Sequence, residues 1–161
     1  GAEEFGDALL SRIREEYGTH VAMGALVEQY PHAENRIRLD PERTDDHGNP
    51  VPDVVWSLDE RTKRTLRRAN EIQRSVLEEL GADIDWVVGP DNTGPAYHHM
   101  GTTRMGTDPD SSVVNPDLQT HDLRNLSIAG SSTFVTGGAM NPTLTLAALS
   151  LKAADAVADR L

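Results

Sequence analysis

The sequence contains no cysteine, and only two of its 15 basic residues, Lys63 and Lys152, are lysines. The absence of cysteine excludes disulfide bonds, thiolate nucleophiles and cysteine-ligated metals, and it leaves the redox compartment undetermined. The 161 residues carry a net charge of −11 at pH 7. This charge argues against a nucleic-acid partner, because binding to a phosphate backbone requires many Lys and Arg side chains.

Long apolar runs are also missing, so no transmembrane segment is predicted. The hydrophobic fraction of 37% supports one globular domain, and the polar composition favours a soluble protein, with the cytoplasm slightly preferred. The residues from Gly1 to Glu4 include no Met, no basic stretch and no apolar run. We therefore expect the sequence to be a piece of a longer chain.

Helical and extended patterns alternate in the first part of the chain. Apolar residues at helical spacing, followed by Gly18, predict a first helix; they are Phe5, Leu9, Leu10, Ile13 and Tyr17. Segments 20–29 and 36–39 are predicted to be short strands, segment 41–52 an exposed loop, and segment 54–56 a return to extended structure. This order predicts an antiparallel sheet.

A capping box from Ser57 to Glu60 predicts a second helix that ends near Gly81, with Ser57 as its N-cap. Its apolar positions form one stripe that we expect to be buried: Leu66, Ala69, Ile72, Val76, Leu77 and Leu80. The opposite face is rich in arginine, and we interpret it as a solvated face without a function of its own. Segment 89–115 has little periodicity and is typical of a functional loop.

The last part of the chain predicts a short buried strand from Leu123 to Ala129 and a connection of small residues from Ser131 to Met140. A final helix is predicted to begin with Asn141 as N-cap and proline at the first helical position. This helix has almost no polar face, so we expect it to be buried nearly all round, against something outside this chain. The predicted fold class is α+β, an antiparallel sheet with packed helices.

Two segments carry groups that suit acid–base chemistry. Segment 97–106 contains the adjacent imidazoles of His98 and His99, and imidazole is the usual base near neutral pH. Segment 137–145 contains Asn141 before a proline. Taken alone, the first segment is more typical of a surface or structural histidine pair than of a catalytic one, and the second is typical of an ordinary helix start.

Two other functions remain open from these residues. A metal hydrolase could use His98, His99 and His121 with an acid such as Asp108 or Asp110, although an adjacent pair lacks the i, i+4 spacing that places ligands on one helix face. A non-catalytic substrate-binding or subunit-contact module is also compatible with the composition. No metal site is predicted.

Taken together, in order and with their spacing, the two segments resemble the C-terminal domain of glucose-methanol-choline (GMC) oxidoreductases. The family pattern places a catalytic His three residues before the Gly of a Gly-Thr-x-x-Met-Gly stretch, which falls on His98 and on segment 101–106. A Val-Val-Asn segment at 113–115, an Asn-Leu strand from Asn125 and the Asn141 form of the last helix continue the resemblance. The last feature is similar to the pyranose oxidase and sugar dehydrogenase branch.

The resemblance implies an FAD-dependent oxidation of a CH–OH group in an alcohol, sugar or polyol. It implies that His98 accepts the hydroxyl proton, that Asn141 holds the substrate oxygen, and that the hydride passes to flavin N5. It also implies flavin neighbours at the start of the last helix and before it: Gly130, Asn141, Pro142 and Thr143. His99 is interpreted as structural.

The resemblance further implies a substrate-binding part at about 1–110, and a strand and helix at about 111–161 that return to the FAD-binding part. The Gly-x-Gly-x-x-Gly turn with which the family's N-terminal domain binds the FAD pyrophosphate does not occur in this sequence. We therefore expect an N-terminal FAD-binding domain as a partner, and we expect the isolated chain to be inactive and not to retain FAD.

Overall fold

The computed structural model describes residues 4–94 and 96–160; Gly1 to Glu3, on which the expectation about the chain start rests, lie outside the described residues, as do Pro95 and Leu161. The main elements are α1 (Asp7–Glu16), β1 (Arg36–Thr44), β2 (Pro50–Val55), α2 (Glu60–Glu79) and α3 (Thr143–Ala158). A single 3₁₀ turn, Ser131–Thr133, precedes α3. The predicted α+β class is confirmed.

β1 and β2 form an antiparallel hairpin, as predicted. Arg36 lies opposite Val55 and Leu39 opposite Pro52, after which the register shifts before Thr44. The predicted loop 41–52 is wrong at both ends, because this irregular stretch accommodates Pro41 within β1. The turn itself spans only residues 45–49, where the Asp45 carboxylate accepts backbone hydrogen bonds.

The strand predicted at 20–29 is wrong, because the segment contains no regular structure. The end of this segment is held by side-chain hydrogen bonds and not by backbone hydrogen bonds to a neighbouring strand. The Gln29 amide donates to the Ser57 carbonyl at 2.8 Å, and Trp56 Nε1 donates to Gln29 Oε1 at 2.9 Å. The Arg61 guanidinium lies 4.2 Å from the centre of the Tyr30 ring, a cation–π contact. These contacts fix residues 29–30 beside the end of β2 and the start of α2.

α2 is capped by Asp59 and not by Ser57, so the predicted capping box is wrong. The Asp59 carboxylate accepts from the backbone N–H of Thr62 at 2.8 Å and from its hydroxyl at 3.0 Å. The first of these bonds holds the pKa of Asp59 below its usual value. The backbone of Ser57 instead donates to the Asn35 side chain at 2.9 Å, which ties the start of β1 to the approach to α2.

The apolar stripe of α2 is less buried than predicted, and the apolar residues in and beside α1 are mostly exposed. Phe5 is 88% exposed and Tyr17 87%, while Ile72 and Leu80 of the α2 stripe are 51% and 73% exposed. The reason lies in the packing, since β1 and β2 are the only pair of elements in the described part of the chain with an extensive mutual contact. Sequence periodicity identified the apolar face of α2, and residues 4–94 and 96–160 cover it only in part, since Leu66, Ala69 and Leu77 are half-buried.

The core lies in the second half of the chain. Val114 and Leu118 are fully buried and pack with Ala153 of α3, and the half-buried residues around them are Met105, Ile128 and Leu149. The strand predicted from Leu123 to Ala129 is wrong: that stretch forms only an isolated bridge, between Gln119 and Ser127. Short loops and bridges, not a second sheet, surround this core.

A lysine fastens α3 to this core. The ammonium group of Lys152 donates to the carbonyl of Pro116 and to the carboxylate of Asp117. The hydrogen bond and the charge of Lys152 lower the pKa of Asp117. α3 is therefore attached along one side, through Ala153 and Lys152.

The rest of α3 is uncovered, although its sequence predicted almost complete burial. Leu144 is 85% exposed and Leu151 70%, and Ala153 is the buried residue of the helix. The accessible surface of the chain is 12534 Å², against about 7,900 Å² expected for a folded monomer of this mass. No helix within residues 4–94 and 96–160 has the length and apolar character needed to cross a bilayer.

Candidate functional site

The segment that follows His98 pairs with the 3₁₀ turn that precedes α3. Backbone N–H groups of Gly101, Thr103 and Met105 donate to the carbonyls of Ser131, Ser132 and Thr133, at 3.2, 2.8 and 2.9 Å. The hydroxyl of Thr103 also donates to that of Ser132 at 2.7 Å. This ladder fixes segment 101–105 against segment 131–133.

The two glycines of segment 101–106 allow close approaches that a side chain would block. Gly101 has a φ of 85°, and a Cβ there would lie 3.3 Å from the carbonyl oxygen of Phe134. A Cβ at Gly106 would lie 2.8 Å from Cβ of Ser112. Glycine at both positions therefore has a local physical reason.

Met100 and Gly137 bring the two predicted segments together. Sδ of Met100 occupies the space in which a side chain at Gly137 would lie. Met100 follows His98 by two residues, and Gly137 precedes Asn141 by four. In addition, the hydroxyl of Ser131 donates to the backbone carbonyl of His99 at 2.8 Å. The sequence positions predicted as base and amide partner thus belong to segments in direct contact.

The backbone before His98 is strained. Tyr97 has a φ of 58°, in the left-handed region that bulky side chains rarely adopt, and it is 81% exposed. Such a conformation costs on the order of 1 kcal/mol or more and is found preferentially at functional sites. His98 itself is half-buried, whereas His99 is exposed. The backbone carbonyl of His99 accepts from the Ser131 hydroxyl, and a structural role for His99 stays a prediction.

Asn141 does not cap α3, so that prediction is wrong. The N-cap is Pro142, the helix begins at Thr143, and no side-chain hydrogen bond caps it. Asn141 is exposed. Its amide is therefore not engaged as a helix cap and remains available to a ligand. Of the other predicted flavin neighbours, Gly130 is the N-cap of the 3₁₀ turn, and its carbonyl accepts from the Thr133 hydroxyl at 2.8 Å.

A carboxylate that sequence reasoning missed lies against the Asn141 segment. Oε1 of Glu28 accepts from the backbone N–H of Gly138 at 3.2 Å. Within the described residues this is the only hydrogen bond that joins segment 4–94 to segment 96–160. The available signal was a charged residue in the mostly apolar run 20–29, which by itself does not reveal a partner 110 positions away.

The histidines do not assemble a metal site in the described part of the chain. Nε2 of His121 lies 2.9 Å from the hydroxyl of Ser112. Across residues 4–94 and 96–160, no three His, Cys, Asp or Glu side chains come close enough together to hold a metal ion. The ligand set considered for a hydrolase, His98, His99 and His121, is accordingly not brought together.

A family model described as GMC oxidoreductase matches residues 31–150. The chain belongs to the GMC oxidoreductase family. The resemblance to the family's C-terminal domain is confirmed, and the match extends well into the first half of the chain, where the sequence motifs are sparse.

Relatives of this GMC chain include dehydrogenases and oxidases. It is 35% identical to 2-methyl-1,2-propanediol dehydrogenase of Mycolicibacterium austroafricanum over 92% of this chain and 27% of the relative. It is 35% identical to the fructose dehydrogenase large subunit of Gluconobacter japonicus over 97% of this chain and 28% of the relative. It is 43% identical to pyranose 2-oxidase of Tricholoma matsutake over 80% of this chain and 24% of the relative.

Among solved structures, the GMC chain is similar to pyridoxine 4-oxidase from Mesorbium loti, with a TM-score of 0.53 and 22% identity. The similarity covers 74% of this chain and 26% of that protein. It supports the fold. The chain spans about a quarter of the length of the curated relatives that it matches.

Proposed function

We propose that this chain forms the substrate-binding and catalytic part of an FAD-dependent oxidoreductase that oxidises a CH–OH group. The single observation that carries the proposal is the contact of Met100 with Gly137, which joins the His98 segment to the Asn141 segment. Neither segment indicates catalysis alone. Their contact in a member of a family of oxidoreductases supports a shared site.

The start of α3 fits the flavin part of FAD. No side chain caps the helix, so its first amide N–H groups are left for an outside acceptor, and the positive end of the helix dipole lies there. A flavin ring has carbonyl oxygens and gains negative charge on reduction, which suits these donors. Asn141, Pro142 and Thr143 would lie beside the ring, with Gly130 as a further neighbour.

His98 and Asn141 have separate roles in the proposed reaction. His98 would accept the hydroxyl proton of the substrate at a ring nitrogen. Asn141 would donate from its side-chain amide to the substrate oxygen and hold it beside the imidazole. An amide is too weak a base to take the proton itself. When bound, FAD supplies flavin N5, which accepts the hydride from the substrate carbon that bears the hydroxyl group.

The proposed domain organisation places a substrate-binding part at about 1–110 and a returning part at about 111–161, which meets an N-terminal FAD-binding domain as partner. Support comes from the uncovered apolar surface of α3, including Leu144 and Leu151. We propose that this other domain also binds the FAD pyrophosphate, since the sequence of this chain has no Gly-x-Gly-x-x-Gly turn.

The substrate class we propose is an alcohol, sugar or polyol. Support comes from the relatives, one named for a propanediol and others for fructose and a pyranose. A base paired with a neutral amide suits a hydroxyl group and provides no charge to select a charged substrate.

Anaerobic titration of the full-length flavoprotein with aldoses, polyols and simple alcohols tests the proposal. We expect the absorbance of the oxidised flavin to bleach with at least one class of hydroxyl compound. A full-length protein that is colourless and gains no flavin spectrum when FAD is supplied would refute the oxidoreductase function. Metal analysis adds an independent check, since stoichiometric zinc lost in His98→Ala would favour a hydrolase.

A further inference from the structure

We infer that Glu28 is a positioning residue for the Asn141 side of the site and acts through the backbone of Gly138. The inference rests on the proposed function of His98 and Asn141. Glu28 lies far from both in sequence, and its carboxylate oxygen accepts the N–H of Gly138, three residues before Asn141.

The bond is exposed to solvent, but its position in the chain gives it more weight than an ordinary surface contact. Within residues 4–94 and 96–160 it is the only hydrogen bond between the two halves of the chain. It reaches a glycine with a φ of 66°, in a connection without regular structure. Such a connection has few backbone hydrogen bonds of its own, so an added acceptor restricts it strongly.

Glu28 is itself held in place by its neighbours. Gln29 bonds to both Trp56 and Ser57, and Tyr30 packs under Arg61. The carboxylate therefore projects from a segment that is fixed to the end of β2 and the start of α2. This arrangement transmits the position of the hairpin and of α2 to the Gly138 connection.

The same connection is held from the other side by the His98 segment, because Met100 packs on Gly137. Gly137 and Gly138 thus have two fixed neighbours: Met100 sets their position relative to His98, and Glu28 sets it relative to the first half of the chain. If the Glu28 acceptor is removed, one restraint is lost, and Asn141 gains freedom relative to the base. Displacement of a reacting group by about 1 Å can slow a reaction up to about 100-fold.

Three substitutions in the full-length enzyme separate the roles of Glu28. Glu28→Ala removes the acceptor, and Glu28→Asp withdraws it by one methylene. Both are expected to slow flavin reduction by substrate by roughly tenfold. Glu28→Gln keeps an acceptor oxygen at the same reach, so its rate and its pH profile of kcat/KM should stay close to wild type. Glu79→Ala is the control, because Glu79 is exposed and makes no side-chain hydrogen bond to a described residue.

A double-mutant cycle tests whether Glu28 acts through Asn141. In the Asn141→Ala background, Glu28→Ala should slow flavin reduction no further, since the group that it positions is gone. Multiplying effects would overturn the inference. So would Glu28→Ala at the wild-type rate, or Glu28→Gln as slow as Glu28→Ala, because the second result would mean that the charge and not the acceptor matters.

Hydrogen–deuterium exchange gives a readout independent of activity. Peptides covering residues 136–141 should exchange faster in Glu28→Ala and Glu28→Asp than in wild type, and at the wild-type rate in Glu28→Gln. Equal exchange in all variants would overturn the inference even if the enzyme is active. If His98→Ala and Asn141→Ala leave flavin reduction unchanged, the proposed function fails separately. If Glu28→Ala does not fold, the Asp and Gln variants still decide.

Discussion

Met100 and Gly137 determine, at the scale of single residues, how far the His98 segment lies from the Asn141 segment. The methionine side chain fills the space beside Gly137 that any larger residue would need. Met100 is only half-buried, so its flexible end can adjust in part. The contact is therefore sensitive to any substitution that enlarges residue 137, although the methionine side chain can move to accommodate part of the change.

Gly137→Ala should misplace the two segments, because its new Cβ overlaps Sδ of Met100 and lies 2.7 Å from Cε. We expect flavin reduction in the full-length enzyme to fall about tenfold or more. Adding Met100→Ala should restore part of the rate, since it removes the overlapping atoms. The control is Gly24→Ala, because a Cβ at Gly24 meets no heavy atom within 4 Å. Equal rates for Gly137→Ala and the control would contradict this role.

Some site residues could be identified from the sequence immediately around them, and others could not. His98 and Asn141 could be proposed from sequence because short motifs surround them. Glu28 could not, because its role depends on a contact across 110 positions with a backbone N–H, a group that every residue except proline carries. The role of Met100 depends on which glycine lies beside it, which no spacing rule predicts.

Helix α2 shows, at the scale of elements, what periodicity predicts and where it fails. Its extent was predicted closely, since the cap-forming segment 57–60 marks its start and Gly81 marks its end. Its cap was not, because Ser57 and Asp59 are both good N-cap residues. Asn35 determines which of the two residues caps the helix, because its side chain accepts a hydrogen bond from the backbone N–H of Ser57 and holds Ser57 beside the sheet.

A peptide of residues 57–81 tests the Asp59 cap directly, because a cap is a local interaction. Asp59→Ala should lower helicity at pH 7, measured by circular dichroism at 222 nm, whereas Asp59→Asn should lower it less. The pKa of Asp59 is lowered in the folded state by the Thr62 N–H bond. The charge-dependent part of the cap is therefore present above the unfolded pKa of about 3.9 and is lost as the pH falls through the folded value.

The helicity difference between wild type and Asp59→Ala should accordingly shrink as the pH falls below about 4. The Asp59→Asn peptide provides the matched comparison, since it has no group at position 59 that titrates. A difference between wild type and Asp59→Asn that stays constant from pH 7 to pH 2 would show that the ionised carboxylate is not the cap.

The uncovered apolar surface is the main feature at the scale of the whole molecule. The chain exposes more than half as much area again as a folded monomer of its mass is expected to expose. A groove between α3 and segment 127–129, with a volume of about 380 Å³, is lined mostly by alanine side chains. The sequence of α3 predicted that the helix needs a covering partner. The burial of its individual side chains could not be predicted from the sequence, because it depends on that partner.

Leu151→Ala tests whether α3 is covered in the full-length enzyme. Leu151 is 70% exposed in this chain. If the proposed FAD-binding domain covers it, the substitution should lower the free energy of unfolding by about 2–4 kcal/mol, as for a buried leucine. Arg64→Ala, on the solvated face of α2, should change it by less than about 0.5 kcal/mol. Chemical denaturation measures both, and equally small changes would mean that α3 stays exposed.

The most direct measurement of the proposed chemistry is flavin reduction by substrate in full-length His98→Ala, followed by anaerobic stopped-flow spectroscopy. His98→Ala should retain its flavin, because the residues proposed to contact the flavin lie at the start of α3. Its flavin should be reduced roughly 100-fold or more slowly than that of wild type, as expected for loss of a general base. A His98→Ala enzyme that holds flavin and is reduced at the wild-type rate would contradict the assignment of His98 as the base.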